Sequence, residues 1–285
     1  MAASSATFPG EMKLSITSAF FLLLSAASAP ALNAQLRPLE PSQWRLYEGS
    51  TTIRAELGGS RLWNQRASLA GEDGDLWEAG NFSLAWRTGR VILEAAGTAQ
   101  RYFRETARFD APYPDVEPST NGRRHDSGDY RVSTTVRLTP ASFPFDGLVR
   151  FGTRLPTTDN TTGLDRDAVD FFATVGGSHA RGRVAVAAEA GLGIHSTREP
   201  RFEQDDLFLY SVSAELRSWK VIPSVMALGQ MHGTTHSAIR GVENLGELRA
   251  GLRAGNRNWM RVDFVKGYET FSPSSGVILT FGMAR

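Results

Sequence analysis

The stretch RVAVAAEAGLGIH, from Arg183 to His195, alternates between apolar side chains and small or polar ones. Its even-numbered positions carry valine, alanine, leucine and isoleucine. Its odd-numbered positions include Arg183, Glu189 and His195. Successive side chains of a β-strand point to opposite faces, so a period of two predicts a strand with one apolar face.

The same alternation recurs along the chain, for example in residues 130–138, 208–217 and 245–254. We count about twelve such strands between residues 51 and 284, most of them close to the 9–11 residues of a tilted membrane strand. Short links such as 88–90 alternate with longer polar links such as 63–75 and 104–127. Short periplasmic turns and longer extracellular loops are typical of outer-membrane barrels. The sequence therefore predicts an all-β fold, a transmembrane antiparallel β-barrel of about 12 strands.

The N-terminus has the pattern of a secretory signal. Lys13 precedes an apolar run over residues 14–27, and small residues follow, with cleavage sites after Ala31 or Ala34. Met12 offers an alternative start for translation. We predict a signal peptide at 1–34, a periplasmic N-terminal tail at 35–50 and the barrel at 51–285. The expected location is the outer membrane of a Gram-negative type bacterium.

The amino-acid composition limits which partners and cofactors are expected for this protein. The 31 basic and 30 acidic residues nearly cancel, so nucleic acid is not an expected partner. Cysteine is absent, which excludes disulfides and cysteine-ligated metals. We predict no cofactor and no metal site. After Ala34 no run of 18 apolar residues occurs, so no transmembrane helix is expected there. The expected partners are outer-membrane lipid and small-molecule solutes.

An antiparallel sheet with one apolar face also occurs in soluble sandwiches. Two features favour a membrane barrel instead. The apolar faces use many small residues, such as Ala188 and Ala190, which would fill an inter-sheet core poorly. Aromatic residues, including Trp63, Trp77 and Trp259, recur near strand ends. Such residues form girdles at membrane interfaces.

The polar face of the predicted strands would line the barrel lumen, and it carries charges of both signs. These charges either attract anions weakly into an open channel or pair across strands and close it. The lumen-lining candidates are Arg131, Arg137, Arg150, Arg154, Asp170, Arg183, Glu189, Glu215, Arg217, Glu247, Arg249, Arg253, Arg261 and Asp263.

Part of the chain resembles a known outer-membrane family. Residues 151–159 (FGTRLPTTD) are similar to a strand that ends in a Pro-Thr-Gly-Asp loop, although Thr158 replaces the usual glycine. Gly163, the strand at 170–175 and the Gly-Leu-Gly of 191–193 continue the likeness over about a third of the chain. The family comprises transporters assigned to the MetA pathway of phenol degradation. The resemblance implies a barrel that passes hydrophobic or aromatic compounds.

Some outer-membrane barrels are hydrolases, and His125, Asp126 and Ser127 form the tightest candidate cluster. A catalytic serine needs a base within hydrogen-bond reach and a third group that orients the base. A polar loop is the simpler interpretation of these residues, so we predict no catalytic residue.

Two sets of residues could suggest a metal site, but neither has the pattern that such a site needs. His232 and His236, with His195, are one such set, but their i, i+4 spacing favours a metal mainly on a helix, and HGTTH is typical of a loop. Asp159, Asp165 and Asp167 do not have the spacing of a helix–loop–helix calcium site.

Three functions remain open on this sequence. The leading prediction is a porin-like channel or transporter for small, hydrophobic or aromatic molecules. The alternatives are a structural or surface-interaction barrel with a charge-filled lumen, and an outer-membrane hydrolase. We expect a protein that is not an enzyme.

Overall fold

One antiparallel sheet closes on itself to form the barrel in this computed structural model. The structure describes residues 36–42, 51–155, 157, 159–165, 169–197, 204–217, 220–232 and 240–285, all within one unit, Ala31–Arg285. The predicted signal peptide and residues 35 and 43–50 of the predicted tail lie outside the described residues.

The strands follow one another around the sheet in chain order. Twelve of them form the closed wall, because β1 pairs with β13 and β2 pairs with β3. The four-residue β4 pairs with β3 at residues 101–104, whereas β5 pairs with β3 at residues 91–97. The bounds are β1 Ile53–Ala67, β2 Glu72–Thr88, β3 Val91–Arg108, β4 Arg123–Asp126, β5 Tyr130–Arg137, β6 Asp146–Leu155, β7 Asp170–Arg181, β8 Val184–Ser196, β9 Gln204–Leu216, β10 Val221–His232, β11 Leu245–Ala254, β12 Asn258–Gly267 and β13 Ser275–Ala284.

The ends of the wall meet on the side of the short turns. The amides of Thr52 and Ile53 donate to the carbonyl of Arg285 at 2.7 and 2.8 Å. An even number of wall strands brings the two ends together in this way, and short turns mark the periplasmic side. The predicted loop 63–75 is mostly strand, because β1 and β2 extend to Ala67 and Glu72. A short 3-10 helix, Asn160–Thr162, lies in the link between β6 and β7.

The outer face of the wall is apolar and exposed. Leu57, Val175, Leu192 and Val212 are each about 60% exposed, whereas charged side chains are buried on the inner face. A soluble sandwich would show the reverse arrangement, so these apolar side chains form a lipid-facing belt. No helix of the described residues is long and apolar enough to cross a membrane.

In β2 and β3 the positions that face the lumen switch once between even and odd residue numbers. In β3 the buried positions are even from Ile92 to Thr98 and odd at Arg101 and Phe103. The change lies opposite Gly80, whose φ of +71° suits glycine, and a Cβ there would meet the Cβ of Ala99. This irregularity turns Arg101 into the lumen.

Candidate functional site: the barrel lumen

The lumen is lined by charged side chains from most strands of the wall. Burial alternates along each strand and places the predicted candidates Arg131, Arg137, Arg150, Arg154, Asp170, Glu189, Glu215, Arg217, Glu247, Arg249, Arg253, Arg261 and Asp263 on the inner face. Arg137, Arg217 and Arg253 lie at its periplasmic rim. Arg183 is exposed in the turn between β7 and β8, so it does not line the lumen.

The segment Leu36–Ser42, which belongs to the predicted periplasmic tail, lies inside the barrel. Its end at Ser42 contacts the middle of the wall. The Ser42 amide donates to Glu189 at 2.8 Å, and its hydroxyl lies 3.1 Å from that of Thr135. Leu36, at the other end, is buried against Leu62 and other apolar residues near the extracellular side. We call residues 36–42 the lumen segment.

Arg37 holds the upper part of the lumen segment to two wall carboxylates. Its Nε and Nη2 donate to Glu247, both at 3.1 Å, and its Nη1 donates to Glu78 at 3.3 Å. Burial alone would lower the pKa of the Arg37 guanidinium. The two carboxylates outweigh that effect and raise the pKa above its usual value. Arg37 is therefore permanently charged and paired.

Glu40 holds the middle of the lumen segment. Its carboxylate lies 2.7 Å from Nη1 of Arg249, and its backbone carbonyl accepts from Arg150 at 2.7 Å. Burial alone would raise the pKa of Glu40, but Arg249, Arg37 and Arg131 lower it to about 2. Arg37 and Glu40 thus make opposite charge pairs with the wall, which fixes the direction and depth of the segment.

The wall also pairs with itself in the extracellular half of the lumen. Arg101 contacts Glu78 at 3.2 Å and Asp129 at 3.3 Å, and it bonds Asp165 of the link between β6 and β7. Arg154 contacts Asp129 at 3.5 Å and Asp165 at 3.7 Å. These ion pairs tie an extracellular link to the inner wall.

Asp129 and Asp165 share a hydrogen bond within that group. Burial and the charge of Asp129 raise the pKa of Asp165 well above its usual value. Burial also tends to raise the pKa of Asp129, but Arg154 and Arg101 outweigh it and lower that pKa. Of the two carboxyl groups, Asp165 is therefore the one that is protonated more easily.

Apolar side chains close the lumen above this group. The side chains of Phe103 and Leu164 are at most 1% exposed. The links at 68–71 and 159–165 fold inward with these side chains. The cluster consists of Leu36, Leu62, Ala67, Ala70, Leu76, Phe103, Leu164, Val265 and Ile278. Leu36 belongs to this cap, so the lumen segment and the extracellular links pack as one unit.

A cavity of about 190 Å³ remains between the lumen segment and the wall. It has room for several water molecules. Charged groups and the apolar side chains of Phe172 and Leu209 line it. Arg131 also lines it, and its Nε has no hydrogen-bond partner among the described residues. The closed lumen thus keeps a polar space beside the segment.

The candidate hydrolase cluster does not assemble as a catalytic group. His125 is exposed on the outer face, opposite Tyr102 of β3. The Ser127 hydroxyl donates to the carbonyl of Thr157. Asp126 accepts from the Ser127 amide at 2.7 Å and from Thr162. These contacts fasten the β6–β7 link to β4.

The candidate metal-binding histidines do not come together, and each of the two described ones lies beside a carboxylate instead. His195 Nδ1 lies 4.0 Å from Asp170, and His232 Nδ1 lies 2.5 Å from Asp205. Within the described part of the chain, no group of three or more His, Asp or Glu residues could hold a metal ion. His236 and Asp167 lie outside the described residues.

Trp259 departs from the predicted girdle. It is buried on the inner face, and the guanidinium of Arg54 stacks over its ring at 4.2 Å. Trp63 and Trp77 lie on the outer face, where the guanidinium of Arg61 stacks on both rings at 5.3 and 5.0 Å. The outer pair fits an interfacial girdle.

The functional residues that sequence reasoning missed are Arg37, Glu40 and Arg101. The first two lie in a short proline-containing stretch without periodicity, and their partners are up to 210 residues away. The one feature of the sequence that could have indicated their role is the presence of opposite charges in a tail predicted to have no function. Arg101 was missed because the parity change in β3 hides its direction.

No protein-family model matches the chain, and no curated protein matches its sequence. Solved structures do match its fold. An outer membrane channel, COG4313, from Pseudomonas putida F1 is 12% identical with a TM-score of 0.58, covering 87% of this chain and 100% of that one. The translocator domain of the autotransporter NalP from Neisseria meningitidis is 12% identical with a TM-score of 0.47, covering 94% and 95%. Outer membrane phospholipase A from Escherichia coli is 11% identical with a TM-score of 0.42, covering 83% and 99%.

The likeness to the first of these structures confirms the fold, a closed twelve-stranded barrel of the outer-membrane type. The lipid-facing belt is consistent with that fold. The chain is therefore an outer-membrane barrel protein, as its sequence predicts.

Proposed function

We propose that this protein is a channel for small molecules, closed in this state by its own lumen segment. The observation that carries the proposal is the place of residues 36–42. They are not part of the wall, yet they fill the lumen through noncovalent pairs at Arg37 and Glu40. If the segment leaves, the wall charges would line a hydrated passage.

The solutes we propose are small aromatic compounds that carry a polar or charged group. The resemblance to MetA-type transporters and the COG4313 channel supports a channel. The charged inner wall favours solutes that can hydrogen-bond during passage, since an apolar molecule would displace water from charges without replacing its bonds. Hydroxylated and carboxylated aromatic compounds combine an aromatic ring with a group that can hydrogen-bond to the wall.

Removal of the lumen segment tests the proposal. The full chain and a variant that lacks residues 36–42 are compared in planar bilayers and in liposome swelling with phenol and benzoate. We expect little conductance from the full chain and a marked rise, with solute uptake, for the shortened chain. Heat-modifiable gel migration checks that both barrels are folded. A folded but silent shortened barrel would contradict the channel.

A barrel without transport is the second candidate. It is favoured by the ion pairs of Arg101 and Arg154 with Asp165, which draw an extracellular link over the lumen independently of residues 36–42. A shortened barrel that stays silent even after these pairs are removed by Asp165→Asn would support this function.

We propose that the protein is not an enzyme. The Ser127 hydroxyl bonds a carbonyl, and the His125 imidazole lies on the outer face. Phospholipid hydrolysis by the purified barrel that disappears in Ser127→Ala would overturn this proposal.

A further inference from the structure

The outer face of the wall changes character at the extracellular end of β1–β4. Below, it carries the aliphatic belt, with Leu57 and Leu84 more than half exposed. Above, it carries basic side chains, which we call the outer basic patch. This patch consists of Arg61, Arg104, Arg123 and His125, all of them exposed.

Two arginines of the patch are direct neighbours. Arg104 of β3 and Arg123 of β4 are register partners, and both point outward. Like charges directly opposite each other destabilise a sheet. Neither guanidinium makes a hydrogen bond or ion pair with the part of the chain that the structure describes. The pair is therefore poised for an anion from outside.

The nearby acids do not neutralise the patch. Asp75 is the register partner of Arg104 on its other side, and its carboxylate lies 3.8 Å from Arg61. Asp73 is held by Arg66 at 2.9 Å, and Glu105 accepts from Ser119 at 2.9 Å. One carboxylate thus faces three arginines, which leaves the patch with net positive charge.

The patch lies at the level expected for lipid headgroups. Trp77 and Tyr102 lie on the outer face just below the Arg104–Arg123 pair, level with Arg61 and His125, and mark the interface. Arg104 is 13 residues above Val91, the periplasmic end of β3. At roughly 3.3 Å per residue and a tilt of about 40°, that is about 33 Å. The apolar band of such barrels is about 25 Å tall, so Arg104 lies above its upper edge.

We propose that the outer basic patch binds the phosphate groups of a phosphorylated glycolipid of the outer leaflet, of the lipid A type. The Arg104–Arg123 pair binds a phosphate through paired N–H donors, the geometry in which arginine recognises phosphate. The sugar lies against the Trp77 and Tyr102 rings, and the acyl chains follow the aliphatic belt below. The proposal is independent of whether the lumen conducts.

The test uses the full, refolded barrel in detergent with three probes: lipid A carrying both phosphates, lipid A with the phosphates removed, and inorganic phosphate. Binding is measured by native mass spectrometry and by the rise in the heat-unfolding temperature. For the unchanged protein we expect about tenfold or tighter binding of phosphorylated than of dephosphorylated lipid A, corresponding to loss of one charge-assisted contact.

The variant R104Q/R123Q should lose that preference, and R104K/R123K should recover part of it because charge is restored without the paired donors. The matched control R90Q/R181Q changes two arginines exposed at the periplasmic turns and should bind like the unchanged protein. Heat-modifiable migration verifies folding. Equal binding by R104Q/R123Q, equal binding of dephosphorylated lipid A, or displacement by inorganic phosphate at equal concentration would each overturn the proposal.

Discussion

Replacement of Arg37 by glutamine should release the lumen segment. The change removes the contacts to Glu247 at 3.1 Å and to Glu78 at 3.3 Å. Breaking a buried ion pair costs about 3–5 kcal/mol. Here the lower value applies, because Glu247 keeps Arg249 at 2.7 Å and Glu78 keeps Arg101 at 3.2 Å. A loss of about 3 kcal/mol raises the population with a released segment about 100-fold, at 1.4 kcal/mol per factor of ten.

Single-channel recording in planar bilayers measures this population as the open probability. We expect Arg37→Gln to raise it about 100-fold while the conductance of each open event stays that of the shortened chain. Arg66→Gln is the matched control, since Arg66 pairs with Asp73 outside the lumen at 2.9 and 3.2 Å. It should leave the open probability unchanged. A folded Arg37→Gln barrel that opens no more often than the unchanged protein would refute the reasoning.

The remaining predictions concern Glu40, Asp165 and Gly282. Because the pKa of Glu40 is lowered to about 2, its pairing is present above pH 4.5 and is lost only as the pH falls towards 2. Glu40→Gln should therefore raise the open probability at pH 7, with a smaller difference from the unchanged protein near pH 2; equal openings at pH 7 would contradict this. The raised pKa of Asp165 means that its contribution is fully present below pH 3.8 and is lost as the pH rises through the folded pKa. Asp165→Asn should thus raise the heat-unfolding temperature at pH 8 more than at pH 4, and a uniform decrease would count against the raised pKa of Asp165. A Cβ at Gly282 would overlap the Trp259 indole, so Gly282→Ala should cost about 1–3 kcal/mol in a urea-unfolding titration, whereas Gly182→Ala, in an open turn with φ +59°, should be affected only by its backbone conformation.

The wall was predictable because its pattern is local. Each strand carries its own alternation, and in β8 the even residues from Val184 to Ile194 mostly face outward while Ala185 and His195 are buried inside. Twelve such stretches predict the twelve wall strands. The extensions of β1, β2 and β3 were missed because they rise above the membrane. There both faces carry polar side chains, and bulges interrupt the period.

The lumen was predictable only in part. The alternation shows which side of a strand Arg150 or Glu247 occupies, but not what it meets inside a closed barrel. Glu247 pairs with Arg37, 210 residues away, and no local pattern encodes such a contact. The lumen segment is held entirely by contacts of this kind. Its sequence alone therefore looked like a tail.

A disulfide lock tests the central claim most directly. The chain has no cysteine, and the hydroxyl oxygens of Ser42 and Thr135 lie 3.1 Å apart, so S42C/T135C should form one bridge between the lumen segment and β5. Single-channel conductance is recorded for S42C/T135C combined with Arg37→Gln, before and after reduction, with Arg37→Gln alone as the control for the reductant. We expect the oxidised protein to stay closed and the reduced protein to conduct like Arg37→Gln. Equal conductance in the oxidised and reduced states would contradict closure of the channel by residues 36–42.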